Sequence, residues 1–363
     1  MDLQVTQENL NKALSNVARV ATGRTTLPIL SNVLLQVENN RLRISATNLD
    51  IAISQHVGTK IKSEGSLTVP ARLFQDFVNN LPKTTISLKQ DGHKLHVHAD
   101  NYKSTINGVP VDDYPVMPAI QDGNSFSISA PAFKKALQQV IFAASSDEAR
   151  PVLTAVFIHS QNNLLYIAAT DSYRLAEKEV TKIDQEVSLL VPSTAMHDLL
   201  RIISELTGEI NILYDEQQVR FMADNVELIA RLIDGTYPDY QKLIPKDFNN
   251  NATVEKSELI TITKVSGLFS RENAGSITVS VSEPDKTLSV KSIASQVGEN
   301  EAKTSGEVTG EADITLNSRY LLEGLQATDG DKVIFSFNGK LEPIIIRNPS
   351  DASYTHVVMP LKS

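Results

Sequence analysis

The 363-residue sequence contains no cysteine and no tryptophan. Without cysteine, the chain cannot form disulfide bonds, thiolate zinc sites, iron–sulfur clusters or cysteine nucleophiles. It also lacks any run of about 18 consecutive apolar residues, which a membrane-spanning helix requires. The N-terminal residues show no basic segment followed by an apolar one, so we expect a cytoplasmic protein with no membrane contact.

Catalytic motifs are missing as well. The sequence has no glycine-rich phosphate loop and no serine nucleophile elbow, and no predicted helix carries two histidines four residues apart. The nearest approach to a metal site is His93, His96 and His98. His96 and His98 would share one face of a strand, so a metal-dependent enzyme stays an alternative, although a polar face on an exposed strand explains them without a metal. We expect no catalytic residue, no metal and no cofactor.

The composition predicts a folded chain of more than one domain. Hydrophobic residues make up 41% and charged residues 21%, which excludes disordered and collagen-like chains. The length is typical of two or three domains. Acidic residues outnumber basic ones by 43 to 34, and the net charge of −9 by itself argues against a nucleic-acid partner.

The chain repeats itself, which is the most informative pattern in the sequence. Landmarks recur at intervals of 122 or 123 residues: Thr47 as Thr170, Val69-Pro70 as Val191-Pro192, and Tyr114-Pro115 as Tyr237-Pro238. A third, more diverged copy contains a strand pattern at 287–291 and a helix start at 316–322. We therefore predict three domains of similar length, at 1–120, 125–246 and 252–363.

Each copy predicts the same order of elements: an amphipathic helix, alternating strands, a second short helix and further strands. The six predicted helices span 7–21, 72–80, 131–142, 193–204, 257–271 and 318–326. Two helices packed on antiparallel sheet form an α+β module. The predicted fold class is therefore α+β, with three tandem copies of that module.

The charge of the predicted helices differs from that of the rest of the chain. They hold nine basic and five acidic residues, a net charge of +4, which leaves −13 for everything else. Basic helices on an acidic body would present positive charge to a polyanion. Lysine and arginine are also good helix formers, so charge alone leaves both interpretations open. Nucleic-acid binding of this kind would be independent of base sequence, because phosphate contacts do not read bases.

Five tracts in order carry a resemblance to a known family. They are Arg24-Thr25-Thr26-Leu27-Pro28-Ile29-Leu30, Val69-Pro70-Ala71-Arg72, Ala169-Thr170-Asp171-Ser172-Tyr173-Arg174-Leu175, Asp234-Gly235-Thr236-Tyr237-Pro238-Asp239-Tyr240 and Val357-Val358-Met359-Pro360. Along essentially its whole length, the chain resembles the beta-subunit sliding clamps of bacterial DNA polymerase III. The resemblance implies a head-to-tail homodimer, a six-domain ring around duplex DNA with helices lining the hole and sheet outside. It also implies a processivity factor that is not an enzyme.

The resemblance and the helix positions together suggest which residues meet DNA and which close the dimer. The expected DNA-binding residues are Arg24, Arg72, Lys134, Lys135, Arg150 and Arg201. The expected dimer-interface residues are Ile106, Leu268 and Phe269, which match family interface positions. For both groups an alternative stays open. The cations could be ordinary solvated charges, and Leu268 and Phe269 could be the buried end of a helix.

In the family, partner proteins insert a short linear peptide into a cleft between the second and third domains. Matched motif by motif, the cleft here should comprise Leu153, Thr170, Ser172, Tyr173, Arg174, Leu175, Pro238, Lys242, Leu243, Asn317, Tyr320, Leu341, Pro343, Met359, Pro360 and Leu361. An apolar pocket with an aromatic rim and a few polar anchors suits the side chains of a flexible peptide. The sequence departs from the family at Ser172-Tyr173, where Gly-His is common, and at the tail 361–363.

The partners that the resemblance implies are a second copy of the chain, duplex DNA, the DNA polymerase III catalytic subunit, a clamp loader, and other polymerases and repair proteins. The main alternative belongs to another class of protein. It is a scaffold of three interaction modules that binds peptides but does not encircle DNA, and in it the charge of the helices would be incidental.

Overall fold

The computed structural model describes residues 1–22, 27–115, 119–270, 273–294 and 298–361. Within these ranges lie six α-helices, two in each predicted copy. They are Gln7–Val17 (α1), Ala71–Asn79 (α2), Ala130–Val140 (α3), Ser193–Ile202 (α4), Lys256–Phe269 (α5) and Ser318–Ala327 (α6). All six predicted helices are therefore present. The first ends at Val17 rather than 21, and a 3-10 turn follows it at Val20–Thr22.

The strands of the first copy are Asp2–Thr6 (β1), Asn32–Glu38 (β2), Arg41–Thr47 (β3), Ile51–Val57 (β4), Lys60–Ser63 (β5), Gly65–Pro70 (β6), Thr85–Asp91 (β7), Lys94–Ala99 (β8) and Tyr102–Asn107 (β9). Those of the second are Asn124–Ser129 (β10), Ala155–Gln161 (β11), Leu164–Thr170 (β12), Arg174–Lys182 (β13), Ser188–Pro192 (β14), Glu209–Tyr214 (β15), Gln218–Ala223 (β16) and Val226–Arg231 (β17). Those of the third are Asn250–Glu255 (β18), Ser276–Ser282 (β19), Thr287–Ala294 (β20), Gly298–Thr309 (β21), Glu311–Asn317 (β22), Lys332–Phe337 (β23), Ile344–Asn348 (β24) and Asp351–Val358 (β25).

The order of elements confirms the threefold repeat. Each copy runs strand, helix, four strands, helix, three strands, and the first copy adds the short β5 before β6. Two local patterns explain these elements. In α1, Leu10, Leu14 and Val17 are buried at helical spacing, and the hydroxyl of Thr6 accepts the N–H of Asn9 as the N-cap. In the strands, apolar residues alternate with polar ones, as expected for sheets with one buried face.

The chain divides into two compact units. One comprises Met1–Pro131 and Thr194–Leu232, and the other comprises Ala132–Ser193 and Ile233–Ser363. The first contains a five-stranded sheet in the order β5-β1-β7-β8-β9 and an eight-stranded sheet in the order β10-β15-β16-β17-β4-β3-β2-β6. The second contains a twelve-stranded sheet in the order β14-β11-β12-β13-β25-β24-β23-β18-β21-β20-β19-β22.

Equivalent strands join successive copies within these sheets. In the first unit, β4 of the first copy pairs antiparallel with β17, the last strand of the second, with Ile51 opposite Ala230. In the second unit, β13 pairs in the same way with β25, the last strand of the third copy, with Arg174 opposite Val358. Each of these two sheets therefore runs from one copy into the next by the same pairing.

Candidate functional site

The turn between β12 and β13 is fixed by two side chains. Thr170 Oγ1 donates a hydrogen bond to the carbonyl of Arg174 at 2.6 Å and accepts the N–H of Ser172 at 3.1 Å. Asp171 Oδ1 accepts the N–H groups of Tyr173 and Arg174 at 2.9 and 3.0 Å. Ser172 adopts a φ of +78°, which glycine reaches without strain. The turn leaves the Tyr173 side chain 58% exposed.

Arg174 joins this turn to α6. Its side chain is only 7% exposed and forms ion pairs with Asp171, Nε to Oδ2 at 3.2 Å, and with Glu323. The guanidinium lies over the ring of Tyr320, 4.7 Å from the centroid, and over that of Phe142 at 5.4 Å. Burial lowers the pKa of Arg174, and Asp171 opposes that shift. Because the charge is paired and stacked, it holds the Tyr320 ring in place.

The segment that follows β25 lies beside the same turn. The Met359 N–H donates to the carbonyl of Tyr173 at 2.8 Å, and the Leu361 N–H donates to the carbonyl of Thr315 at 2.8 Å. Ile344 pairs with Val358, so Pro343 and Met359 occupy adjacent positions at the ends of these strands. The structure thereby brings together most of the predicted cleft. The members joined by these contacts are Thr170, Ser172, Tyr173, Arg174, Leu175, Tyr320, Pro343, Met359, Pro360 and Leu361.

An apolar cluster extends from these residues to the turn before β18. Leu175, Tyr237, Tyr240, Ile345 and Val357 are buried against one another. The Tyr240 hydroxyl lies 2.7 Å from Nε2 of His159, and burial lowers the pKa of that histidine to about 4. Burial also raises the pKa of Tyr240, and the neighbouring Glu177 adds to the shift. Both rings are therefore neutral at pH 7, which suits an apolar surface.

The remaining predicted cleft residues lie around this cluster. Pro238 begins the 238–243 turn, where its carbonyl accepts the Tyr240 N–H, and Lys242 forms an exposed ion pair with Asp239 at 2.6 Å. Leu153 is buried in a 3-10 turn, and Asn317 caps α6. Leu243 and Leu341 are 54% and 72% exposed, which is unusual for such large apolar side chains.

Sequence reasoning missed the residues that hold Arg174 and Tyr320. Phe142 contributes its ring and its carbonyl, Glu323 its carboxylate, and the buried His356 lies 3.2 Å from the Tyr320 carbonyl through Nε2. The role of Asp171 could have been predicted from the repeat, because Asn48, another residue that favours turns, stands at the matching position of the first copy. Glu323 and His356 had no such signal, because Glu323 contacts Arg174 and His356 contacts Tyr320, and both contacts are distant in sequence.

The predicted DNA-binding cations are mostly paired with nearby acids. Arg72 lies 4.0 Å from Asp76, Arg201 lies 3.2 Å from Asp198, Lys135 lies 2.7 Å from Asp329, and Arg150 lies 3.2 Å from Asp147. Arg150 also donates to Ser172 Oγ at 3.0 Å. Lys134 is on α3 beside Lys135, and Arg24 lies outside the described residues. Exposed pairs of this kind contribute roughly 0–1 kcal/mol to stability.

The predicted dimer residues lie on an edge strand and at the end of a helix. Ile106 lies on β9, which ends the five-stranded sheet, and its side chain is only 5% exposed. Leu268 and Phe269 end α5, and Leu268 is 57% exposed. Leu268 thus presents apolar surface, whereas Ile106 offers mainly the edge of its strand.

The described residues contain neither a metal centre nor a membrane span. No group of three histidine, aspartate or glutamate side chains among them is arranged to hold a metal ion. In the predicted histidine cluster, His96 instead lies 3.0 Å from Thr105 Oγ1 and 3.9 Å from Asp91 Oδ2. Across the same ranges, none of the helices is both long and apolar enough to cross a membrane.

Comparison with known proteins places this arrangement in one family. Models of the DNA polymerase III beta subunit match its N-terminal domain at 1–118, its central domain at 127–239 and its C-terminal domain at 241–362. The beta sliding clamp of Synechococcus elongatus is 30% identical over 372 residues, covering 100% of this chain and 99% of that protein. The beta sliding clamp of Bacillus subtilis is 27% identical over 377 residues, covering both chains completely.

Solved structures agree with the sequence relatives. The Bacillus subtilis DNA polymerase sliding clamp has a TM-score of 0.95 at 25% identity, over 100% of this chain and 99% of that one. The Pseudomonas aeruginosa sliding clamp bound to griselimycin has the same TM-score and identity, with both chains covered completely. The fold is three tandem clamp domains, and the chain belongs to the DNA polymerase III beta subunit family.

Proposed function

We propose that this chain is a sliding clamp, which closes as a head-to-tail homodimer around duplex DNA and tethers a polymerase for processive synthesis. The observation that carries the proposal is the repeated pairing of equivalent strands. The third strand after the first helix of a copy is β4, β13 or β21, and the last strand is β9, β17 or β25. Pairs β4·β17 and β13·β25 form within the chain.

This pattern leaves one strand of each kind over. Among the described strands, β9 pairs only with β8, and the 298–305 part of β21 pairs only with β20. If β21 of one protomer pairs with β9 of another by the same rule, two protomers close after six modules. A closed ring also pairs these two open strand edges, which would otherwise be exposed to aggregation.

The ring would act mechanically rather than chemically. Encirclement retains the clamp on DNA without a tight contact, and the cations on the helices would meet phosphates weakly enough to slide. We infer that the protein is not an enzyme, needs no cofactor and depends on a separate ATP-driven loader to open on DNA. The exposed Tyr173, Leu243 and Leu341 would receive the apolar side chains of partner peptides, beside the fixed Tyr320 ring.

Light scattering during size-exclusion chromatography, over a concentration series, tests the ring directly. We expect a mass of about twice 39.8 kDa, and we expect Leu268→Lys with Phe269→Lys to halve it. Leu243→Lys is the matched control, because Leu243 is as exposed as Leu268 but lies in the predicted cleft. The control should stay dimeric. A monomer at every concentration, with no retention on circular DNA, would overturn the proposal in favour of a scaffold.

A further inference from the structure

A groove with basic walls crosses strands β16, β17, β4 and β3 of the eight-stranded sheet. It encloses a cavity of about 600 Å³. We name it the arginine groove and define it by six lining residues: Arg41, Arg43, His56, Arg220, Met222 and Ile229. The volume is within the range of cavities that hold a ligand or several residues of a peptide.

One carboxylate serves two guanidinium groups in the floor of this groove. Glu227 Oε2 lies 3.5 Å from Arg43 Nη2, and Oε1 lies 3.5 Å from Arg220 Nη1. Ser54 also donates to Oε2 at 3.2 Å. Counting Arg41 and the lining Asp224, the walls carry three positive and two negative charges. The groove is thus positive within a chain of net charge −9.

Two guanidinium donors and one histidine ring nitrogen in the groove have no hydrogen-bond partner among the described residues. Within the described part of the chain, the buried Nε atoms of Arg43 and Arg220 and the Nδ1 atom of His56 lack a hydrogen-bond partner. Burial lowers the pKa of His56, and the positive charges of Arg43 and Arg41 lower it further. The carboxylates of Glu227 and Glu38 raise it by smaller amounts. The positive field therefore exceeds what Glu227 compensates, and unpaired buried donors favour an anionic ligand.

The turn between β3 and β4, next to the arginine groove, repeats the geometry of the turn between β12 and β13 in the predicted cleft. Thr47 Oγ1 donates to the Ile51 carbonyl at 2.9 Å and accepts the Leu49 N–H at 3.1 Å, as Thr170 does with Arg174 and Ser172. Leu49 has a φ of +81°, close to the +78° of Ser172. Tyr114 and Tyr237 stand at matching positions of the two copies, and both are buried.

A second cavity, of about 80 Å³, connects this turn to the basic walls. It is lined by Thr47, Ala52, Tyr114 and Pro115, and it shares Arg43, Ser54, Glu227 and Ile229 with the larger cavity. Thr47, Ala52 and Pro115 match Thr170, Leu175 and Pro238 of the predicted cleft at a spacing of 123 residues. The smaller cavity therefore occupies at the first pairing, β4·β17, the place that the cleft has at β13·β25, and the arginine groove adjoins it through the four shared residues.

We propose that the arginine groove binds an acidic peptide segment of a partner protein. An Asp or Glu carboxylate of the segment would pair with Arg43 and Arg220, and a neighbouring apolar side chain would pack on Met222 and Ile229. The assignment of a peptide, rather than another anion, rests on the proposed function, because it follows from the equivalence between the adjoining smaller cavity and the cleft. The arginine groove should bind acidic peptides because its lining is basic, and this preference distinguishes it from the predicted cleft, which is apolar.

A displayed library of random 12-residue peptides, selected on full-length protein, tests the proposal. The selection is run on the wild type, on Arg43→Gln with Arg220→Gln, and on Leu243→Ser with Leu341→Ser, which impairs only the predicted cleft. We expect a set of acidic peptides that survives on the cleft variant and disappears on the arginine variant. Peptides that disappear only on the cleft variant report on the proposed function and not on the groove.

Fluorescence anisotropy of the best synthetic peptide then gives affinities. The arginine variant should bind it at least about tenfold more weakly. Glu227→Gln should bind it more tightly, because it removes the carboxylate that competes for both guanidinium groups, and a misfolded variant would not give opposite signs. Arg231→Gln, exposed on β17 outside the groove, should change nothing. Identical peptide sets on the wild type and the arginine variant would overturn the proposal. The proposal would also be overturned if the groove binds inorganic phosphate but the selection yields no acidic peptide.

Discussion

Gly324 on α6 lies against the buried ring of His356. A Cβ at this position would overlap the imidazole, and His356 is fully enclosed and has no room to retreat. In a helix, Gly→Ala normally stabilises by about 1 kcal/mol, but overpacking costs about 1–3 kcal/mol. We expect Gly324→Ala to be destabilising in urea unfolding. Gly58→Ala is the control, since its Cβ would meet nothing within 4 Å, and equal midpoints for the two variants would contradict the prediction.

His356 also makes stability depend on pH. Burial, with a smaller contribution from Arg174, lowers the pKa of His356 to about 3, against 6.5 for a free histidine. Between these values the unfolded state binds the proton and the folded state does not, so stability is lost as the pH falls below 6.5. We expect His356→Gln to reduce the slope of unfolding free energy against pH by about 1.4 kcal/mol per pH unit near pH 5. An unchanged slope would contradict the assignment.

At the scale of elements, the N-cap of α6 positions one wall of the predicted cleft. Asn317 Oδ1 accepts the N–H groups of Arg319 and Tyr320 at 2.9 and 3.4 Å. We expect Asn317→Ala to cost about 1 kcal/mol in unfolding and to weaken partner-peptide binding, because Tyr320 stands in the first turn. Asn317→Asp keeps the capping oxygen and should retain most of both. If the alanine variant binds peptide as the wild type does, the cap does not position the cleft.

The helices were predictable because each has a local signal. Leu10, Leu14 and Val17 indicate α1 by spacing alone, and the second copy repeats the order. Ile106 is a residue whose surroundings such local patterns do not predict. It was expected at the dimer interface, but it is the aliphatic residue of strand β9, and its side chain is buried. Its role in the dimer interface stays a prediction. With its side chain buried, Ile106 could contribute to that interface only through the backbone of its edge strand.

At the scale of the whole molecule, retention on DNA should depend on salt through the helix cations. We expect Lys134→Gln, Lys135→Gln and Arg201→Gln together to reduce the slope of log affinity against log salt by about 0.9 for each phosphate that is no longer neutralised. Neutralising Lys60, Lys62 and Lys89, which are exposed on β5 and β7, provides a control of equal charge. Equal slopes for the two triple variants would favour the scaffold, in which charge is incidental.

Long-range pairs account for what the sequence could not predict. Arg174 meets Glu323, and Ser54 meets Glu227 173 residues away, with no periodicity linking them. The cleft could be expected from motifs because its turn residues are contiguous, whereas the arginine groove has no local motif. Only the register between β4 and β17 brings its charges together.

The pairing of β13 with β25 has a consequence for the time course of biosynthesis. Lys178 on β13 donates a hydrogen bond to Ser353 on β25, which is 175 residues away in the chain. At about 5–20 residues per second, translation leaves β13 without its neighbour for roughly 10–35 s. During that interval one edge of the growing sheet is open to other nascent chains, so a chaperone that shields strand edges should raise the yield of folded protein more than one that acts after release.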